Sequence, residues 1–353
     1  MIIYIIFKSK TINMIKAIYG TNNAQIDVTP IINRIMSENI DTFIVNNKLF
    51  TDIDCGKYKW LRIQSSGTKQ IFAENRIVSV KSIINSLDND NDNDNHDEKK
   101  TLILYVFNIW NENVEYFIKY GCFDDPNYKF VIVCNDMNLV FEYPKYVHVI
   151  HRENIGFDFG GWSVGLLTNN MYTQYDNFIF VNSSCIGLFV PKYCKKIWCD
   201  IFTENISSET KLFGTMINNN LHNNLSADPV NLAHVQSWIF STDKIGLKIL
   251  IDNGIFSIKK FTKTHIETIN NKEVLMSRII ISNGFNIGSL MQIYENVDFR
   301  LGQALLENNK TVFYGDLAYS KAYFGETIHP YEFIFIKANR NISKEWINMY
   351  KNK

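Results

Sequence analysis

The chain has 353 residues, with 36 Lys+Arg against 36 Asp+Glu, a formal net charge of zero and 46% apolar residues. That apolar content excludes a fibrous or largely disordered chain. Neutrality argues against a general nucleic-acid binder and against a polybasic membrane-surface protein, both of which need a basic excess.

At about 100–200 residues per domain, the length predicts two domains, each able to bury its own core. The opening run Met1-Ile-Ile-Tyr-Ile-Ile-Phe7 falls short of the ~20 apolar residues that span a bilayer. No small-residue cleavage site follows it. The reading is a buried first strand, or a start at Met14, with no integral membrane segment. Residues 14–85 then read as a small β-rich module. Ile15–Tyr19, Thr42–Val45, Lys59–Ile63 and Ile77–Val80 are short strands between Gly, Asn and Asp turns. Thr29-Pro30 starts one helix, with Thr as cap and Pro in the first position.

Residues 86–100 form an acidic linker. Its core, Asp88-Asn-Asp-Asn-Asp-Asn-Asp-Asn-His-Asp-Glu98, has no apolar residue with which to join a fold. It also lacks the central Gly and distal Glu of a calcium loop. Because this segment is acidic, the remainder of the neutral chain is net positive, which suits a small anionic ligand.

From 101 to 345 the pattern alternates. Leu102–Phe107, Phe130–Cys134, Val147–Ile150 and Phe178–Val181 are continuous apolar strands, separated by helical stretches at Glu112–Tyr120 and Gly161–Leu167. Such strands predict an α/β fold with a mostly parallel sheet flanked by helices, whose ligands bind at the carboxyl ends. The six cysteines contain no C-x-x-C pair, so they form neither a zinc framework nor a secreted disulfide scaffold. A reducing, cytoplasmic location follows. Asn is about one residue in eight, so a single Asn carries weight only in a special setting.

Polar residues gather where the strands end. The first strand stops at Asn108, the second at Asn135-Asp136, and the fourth at Asn182-Ser-Ser184. The third runs into His151-Arg-Glu-Asn-Ile-Gly-Phe-Asp-Phe-Gly-Gly-Trp162. Here Gly156, Gly160 and Gly161 permit close backbone approach at the start of a helix, whose free amides suit a phosphate. Arg152 adds a cation, Asp158 an acceptor for a sugar hydroxyl, and Trp162 a flat face for a sugar ring. The same glycines also suit a tight strand-to-helix turn that serves packing alone. The G-x-G-x-x-G order of a dinucleotide fingerprint is absent.

Arg152–Trp162 together with Tyr175-Asp-Asn-Phe-Ile-Phe-Val-Asn-Ser-Ser-x-x-Gly-x-Phe-x-Pro191 resembles the rhamnan-synthesis F type of glycosyltransferase, which occurs in polysaccharide-assembly clusters and, as relatives, in giant DNA viruses. The resemblance continues through His234-Val-Gln-Ser-Trp-Ile-Phe240, Glu273–Leu290 and His329–Lys337, covering about residues 101–340. It implies a GT-A-like fold, a nucleotide-sugar donor and a carbohydrate acceptor, in the host cytoplasm if the source is viral. By the same resemblance, Asp136 contacts the nucleoside, and Asn154 and Gly156 form the turn beneath the donor. Asn182-Ser-Ser184 stands where a metal-binding Asp-x-Asp would be. An amide and two hydroxyls are poor ligands for a divalent metal, so diphosphate charge falls to Arg152, Lys337, Arg340 and helix amides. No cofactor is predicted; a divalent metal would lack its usual carboxylates.

Lys272–Asn283 reads as a helix ending at a Gly284 cap. Glu273 occupies the resemblance's register for the catalytic base of an inverting enzyme; a first-turn Glu also complements the helix dipole on its own. His234 and Gln236, beside the apolar run 238–240, offer hydrogen bonds to acceptor hydroxyls. A second polar cluster, His329, Glu332, Lys337 and Arg340, surrounds a predicted strand over 333–336. A non-catalytic glycan- or nucleotide-binding module on a degenerate glycosyltransferase fold is the competing reading, favoured by the missing Asp-x-Asp.

Overall fold

The computed structural model describes residues 15–38, 40–65, 68–81, 83–84, 99–219, 233–301 and 315–351. The opening apolar run and nearly all of the acidic linker lie outside the described residues.

The N-terminal region carries strands β1 (Lys16–Gly20), β2 (Gln25–Asp27), β3 (Thr42–Ile44), β4 (Trp60–Gln64), β5 (Lys69–Ala73) and β6 (Ile77–Ser79). Four of them form an antiparallel sheet in the order β2-β1-β4-β5, and β3 pairs with β6. Helix α1 (Thr29–Ser37) has Pro30 in its first turn, but Thr29 is its first residue and its cap is Val28, which makes no side-chain bond. The Thr29 hydroxyl instead accepts the Ala17 N–H at 2.8 Å, tying helix to sheet. Tyr19, Ile32, Phe50, Leu61 and Phe72 are buried in this region's own core.

The larger region holds β7 (Thr101–Phe107), β8 (Tyr128–Cys134), β9 (His148–His151), β10 (Asn177–Asn182), β11 (Cys185–Gly187), β12 (Thr210–Gly214), β13 (Ile217–Asn218), β14 (His234–Val235), β15 (Ile239–Asp243), β16 (Asn286–Ser289) and β17 (Phe335–Lys337). Seven of these make one sheet in the order β16-β12-β15-β10-β7-β8-β9. Every strand in it runs parallel except β15, which is antiparallel to both neighbours. The fold is therefore mixed α/β with a large, mostly parallel central sheet flanked by helices. β7 and β10 are buried along their whole length, which is why they read as unbroken apolar runs rather than as alternation.

The helices α2 (Glu112–Tyr116), α3 (Phe157–Leu167), α4 (Lys244–Asp252), α5 (Leu275–Ser282) and α6 (Lys344–Asn348) complete the framework. Two of the expected helices contain π turns: α2 continues as one over Phe117–Gly121, and α5 is preceded by one over Ile269–Val274. The strand expected over 333–336 is instead a helical turn at Pro330–Phe333, a left-handed Ile334 (φ 63°) and then β17. Pro330 favours that turn because its fixed φ suits a first helical position. All six cysteines are free thiols, with Cys122, Cys134, Cys185 and Cys199 buried.

Chain order reverses between β7 and β10. The chain moves outward from β7 to β8 and β9, then returns to place β10 on the other side of β7. Such a reversal leaves a crevice at the carboxyl ends of the two strands, since their following loops diverge.

Candidate functional site

The helix that fills the space beneath this reversal is α3, and its glycines explain how it fits. A Cβ on Gly161 would stand 2.8 Å from the Val106 side chain, and one on Gly165 2.7 Å from Leu104. Their absence lets α3 lie close against β7. Trp162 then reaches across, and its ring N–H is within 3.1 Å of the Leu104 carbonyl and 3.2 Å of the Val181 carbonyl. It bridges β7 and β10 as a fully buried core residue, so the open stacking face expected of it is absent.

The turn entering α3 is also built for packing. Gly156 has φ +77°, and a Cβ there would meet the Phe261 ring at 2.8 Å. Arg152 donates to Asn135 Oδ1 at 2.8 Å and to the Ile155 carbonyl at 2.6 Å, and its guanidinium lies 5.6 Å from the Phe261 ring. It is committed to holding the turn. Gly160 leaves room for the Ile155 carbonyl. Asp136 caps its own loop by accepting the Asn138 N–H at 2.8 Å. Asn108 and Asn154 are exposed. None of Asn108, Asp136, Arg152, Asn154, Gly156, Gly160, Gly161 and Trp162 lines the cleft described next.

That cleft, of about 720 Å³, opens at the carboxyl end of β10 and the start of β15. It brings together Asp158, Asn182, Ser184, His234, Gln236, Glu273, Lys337 and Arg340 from five separate stretches of chain. Asn182 Nδ2 donates to Asp158 Oδ2 at 2.9 Å, while Asn182 Oδ1 accepts the Ser184 N–H at 3.0 Å and the Ser184 hydroxyl. Burial pushes the Asp158 carboxyl up to about 6; the Glu273 charge adds to this, and the Asn182 amide and the Lys337 charge oppose it.

Glu273 arrives in the cleft from the π turn before α5. The extra residue in that turn sends Lys272 inward, where its ammonium is bound by the Gly254 and Ile255 carbonyls, and turns Glu273 outward. Glu273 Oε2 accepts the Ser237 N–H at 3.0 Å and the Ser237 hydroxyl. Its Oε1 lies 3.8 Å from His234 Nε2, too far for a hydrogen bond.

A second network lines the same cleft. Asp316 accepts from Arg340 Nε at 2.8 Å and from Gln236 Nε2 at 3.0 Å, and the Trp238 ring N–H donates to Gln236 Oε1 at 2.7 Å. Burial opposes ionisation of Asp316, but Lys337, Arg340, Gln236 and the Ala318 N–H together hold its carboxyl below the usual range. Burial lowers the Lys337 ammonium, against the pull of Asp316 and Glu273. His329 and Glu332 are elsewhere: His329 accepts the Tyr331 N–H, and Glu332 accepts the Tyr323 hydroxyl.

Sequence reasoning missed Asp316, Ser237, Asn218 and Arg278, all of which line the cleft. Ser237 belongs to the His234–Phe240 stretch, which marks it in the sequence; nothing in the sequence around Asp316 marks that residue. Among the described residues no group of three or more His, Cys, Asp or Glu is placed to hold a metal.

No family model matches the chain. It is similar to the uncharacterized protein y4gN of Sinorhizobium fredii (strain NBRC 101917 / NGR234), with 25% identity over 166 residues. That match takes in 44% of this chain and 40% of the length of that protein.

Proposed function

We propose that this chain is a GT-A-like glycosyltransferase that moves a sugar from a nucleotide-sugar donor to a carbohydrate hydroxyl, with inversion and with Glu273 as base. The observation that carries this reading is the meeting of Glu273, Asp158, Lys337 and Arg340 in one cleft at the carboxyl ends of the sheet. A carboxylate and two cations lining one cleft suit transfer from a diphosphate leaving group.

In this mechanism Glu273 Oε1 takes the acceptor hydroxyl proton while Ser237 fixes Oε2. The acceptor oxygen forms a bond to the anomeric carbon as the bond from that carbon to the diphosphate breaks on the opposite face. Lys337 and Arg340 receive the charge left on the diphosphate. Asp158 accepts a hydroxyl of the donor. A divalent metal does not fit the Asn182–Ser184 group, because Asn182 Oδ1 is occupied by two bonds from Ser184 and no carboxylate stands in that stretch.

Replacing Glu273 with Gln is expected to lower transfer by about 10²–10⁴-fold, with donor affinity by calorimetry nearly unchanged. Unaltered turnover in that variant removes Glu273 from the mechanism. A second reading, a binding module without turnover, is favoured by the way Asn182 pairs internally with Asp158 and Ser184. A calorimetric screen of donors, run beside transfer and hydrolysis assays, separates the two. Binding with no turnover on any donor and acceptor pair supports the binding module.

A further inference from the structure

The loops at the carboxyl end of the sheet carry an unusual surface. Four of them touch in series: Trp110 lies 5.2 Å from Phe141, Phe141 lies 5.8 Å from His151, and Arg152 lies 5.6 Å from Phe261. Along this belt aliphatic side chains project into solvent one at a time. Val140 is 93% exposed, Ile109 and Ile266 are each 70% exposed, and Met137, Ile155 and Ile258 are about half exposed. Single exposed apolar residues are ordinary, but a chain of them across adjoining loop tips marks a contact surface.

The charge on the last of these loops indicates what it contacts. Residues 253–266 contain Lys259, Lys260 and Lys263, all exposed; of the acids that flank them, Asp252 is paired with Lys248 and Glu267 accepts the Lys263 N–H. The three lysines alternate with Ile258, Phe261 and Ile266. On the neighbouring loops Asp136, Glu142 and Glu153 stand against Lys145 and Arg152, so the lysine cluster is confined to this one. Whole-chain neutrality therefore conceals a local arrangement of the kind that its total argues against.

We infer that this end of the molecule docks on an anionic lipid surface, with the aliphatic tips entering the headgroup–acyl boundary and the three lysines meeting lipid phosphates. Isolated tips interleaved with ammonium groups fit that layer. A stable protein interface gathers its apolar residues into a contiguous core with a polar rim, which these tips do not form. The next turn of the same segment supplies His265 and Ile269 to the cleft wall, so a docked bilayer faces the cleft mouth. The inference does not depend on the glycosyltransferase reading.

The test is sedimentation of the full chain with vesicles of phosphatidylcholine alone and of phosphatidylcholine mixed with phosphatidylglycerol. Binding to the anionic vesicles is expected, falling as salt is raised. Each of Lys259→Gln, Lys260→Gln and Lys263→Gln should weaken it by about fivefold. Val140→Asp and Ile266→Asp, at exposed positions, should weaken it further with melting unchanged. No sedimentation with anionic vesicles at low salt overturns the proposal, as does equal sedimentation of the variants. A dimer that these variants dissociate, without vesicle binding, assigns the surface to a second copy of the chain instead.

Discussion

At the scale of single residues, Asp158 is the group whose environment most changes its chemistry. Its carboxyl is held at about 6 in the fold against an ordinary value of 3.8. The folded chain therefore binds more protons than the unfolded chain between those values, and the stability linked to this group is lost as pH rises through the window. Asp158→Asn keeps an acceptor for the Asn182 amide and removes the buried charge. It is expected to stabilise the protein at pH 7 by up to about 3 kcal/mol, with the gain disappearing below pH 3.8. Urea unfolding of both proteins across that range measures it; a gain that does not change with pH would sink the account. Donor binding, where it needs the ionised form, should weaken below about pH 6.

Among elements, α3 shows how one glycine-rich stretch solves several packing problems at once. The sequence left open whether Gly156, Gly160 and Gly161 served a phosphate or a tight turn, and the distances favour the turn. Gly161→Ala brings a Cβ within 2.8 Å of the Val106 side chain, and an overpacked contact of this kind costs about 1–3 kcal/mol. Gly160→Ala meets the Ile155 carbonyl, which is backbone and is already held by Arg152. It should be the more damaging of the two in thermal melts. The reverse order would mean that the 152–156 turn yields more easily than its bonds suggest. The π turn at 269–274 is the other decisive element. Lys272 points inward from it and Glu273 to the cleft, and an unbroken α-helix would rotate both relative to α5.

Across the whole molecule, two buried cores are joined by a polar seam. The Ile71 N–H donates to the Gly284 carbonyl at 2.9 Å, and Gln70 Nε2 donates to the Asn283 carbonyl at 2.6 Å. Glu209 bridges Lys69 of the N-terminal region, at 2.6 Å, and Arg300, at 2.7 Å. Arg300 is 2% exposed and also binds Asp298. Arg300→Met leaves Asp298 without its cation and Glu209 with Lys69 alone, and is expected to cost about 1–3 kcal/mol. Lys69→Met, at a half-buried pair, should cost at most about 1 kcal/mol. Equal losses in denaturant titrations would show that the seam, rather than Arg300, carries the stability.

The positions of the first four core strands were legible in the sequence, because strands covered on both faces of a parallel sheet read as apolar runs. The Gly284 helix end was legible too, since a left-handed residue (φ +82° here) favours glycine. Strands β12 and β16 were not, being short and partly polar, and neither was the turn at Pro330, where local φ preference overrode an apolar run. The residues of the cleft divide in the same way. Asp158, Asn182 and Glu273 could be named from motif and register, but which of the candidates face one another depends on side-chain direction, and sequence spacing does not encode that. Only the tertiary structure turned Arg152 and Trp162 into framework and brought Asp316, unmarked in the sequence, between Gln236, Lys337 and Arg340. The chain's composition set a neutral total; folding decided where that neutrality breaks, by separating charges that sequence averages together.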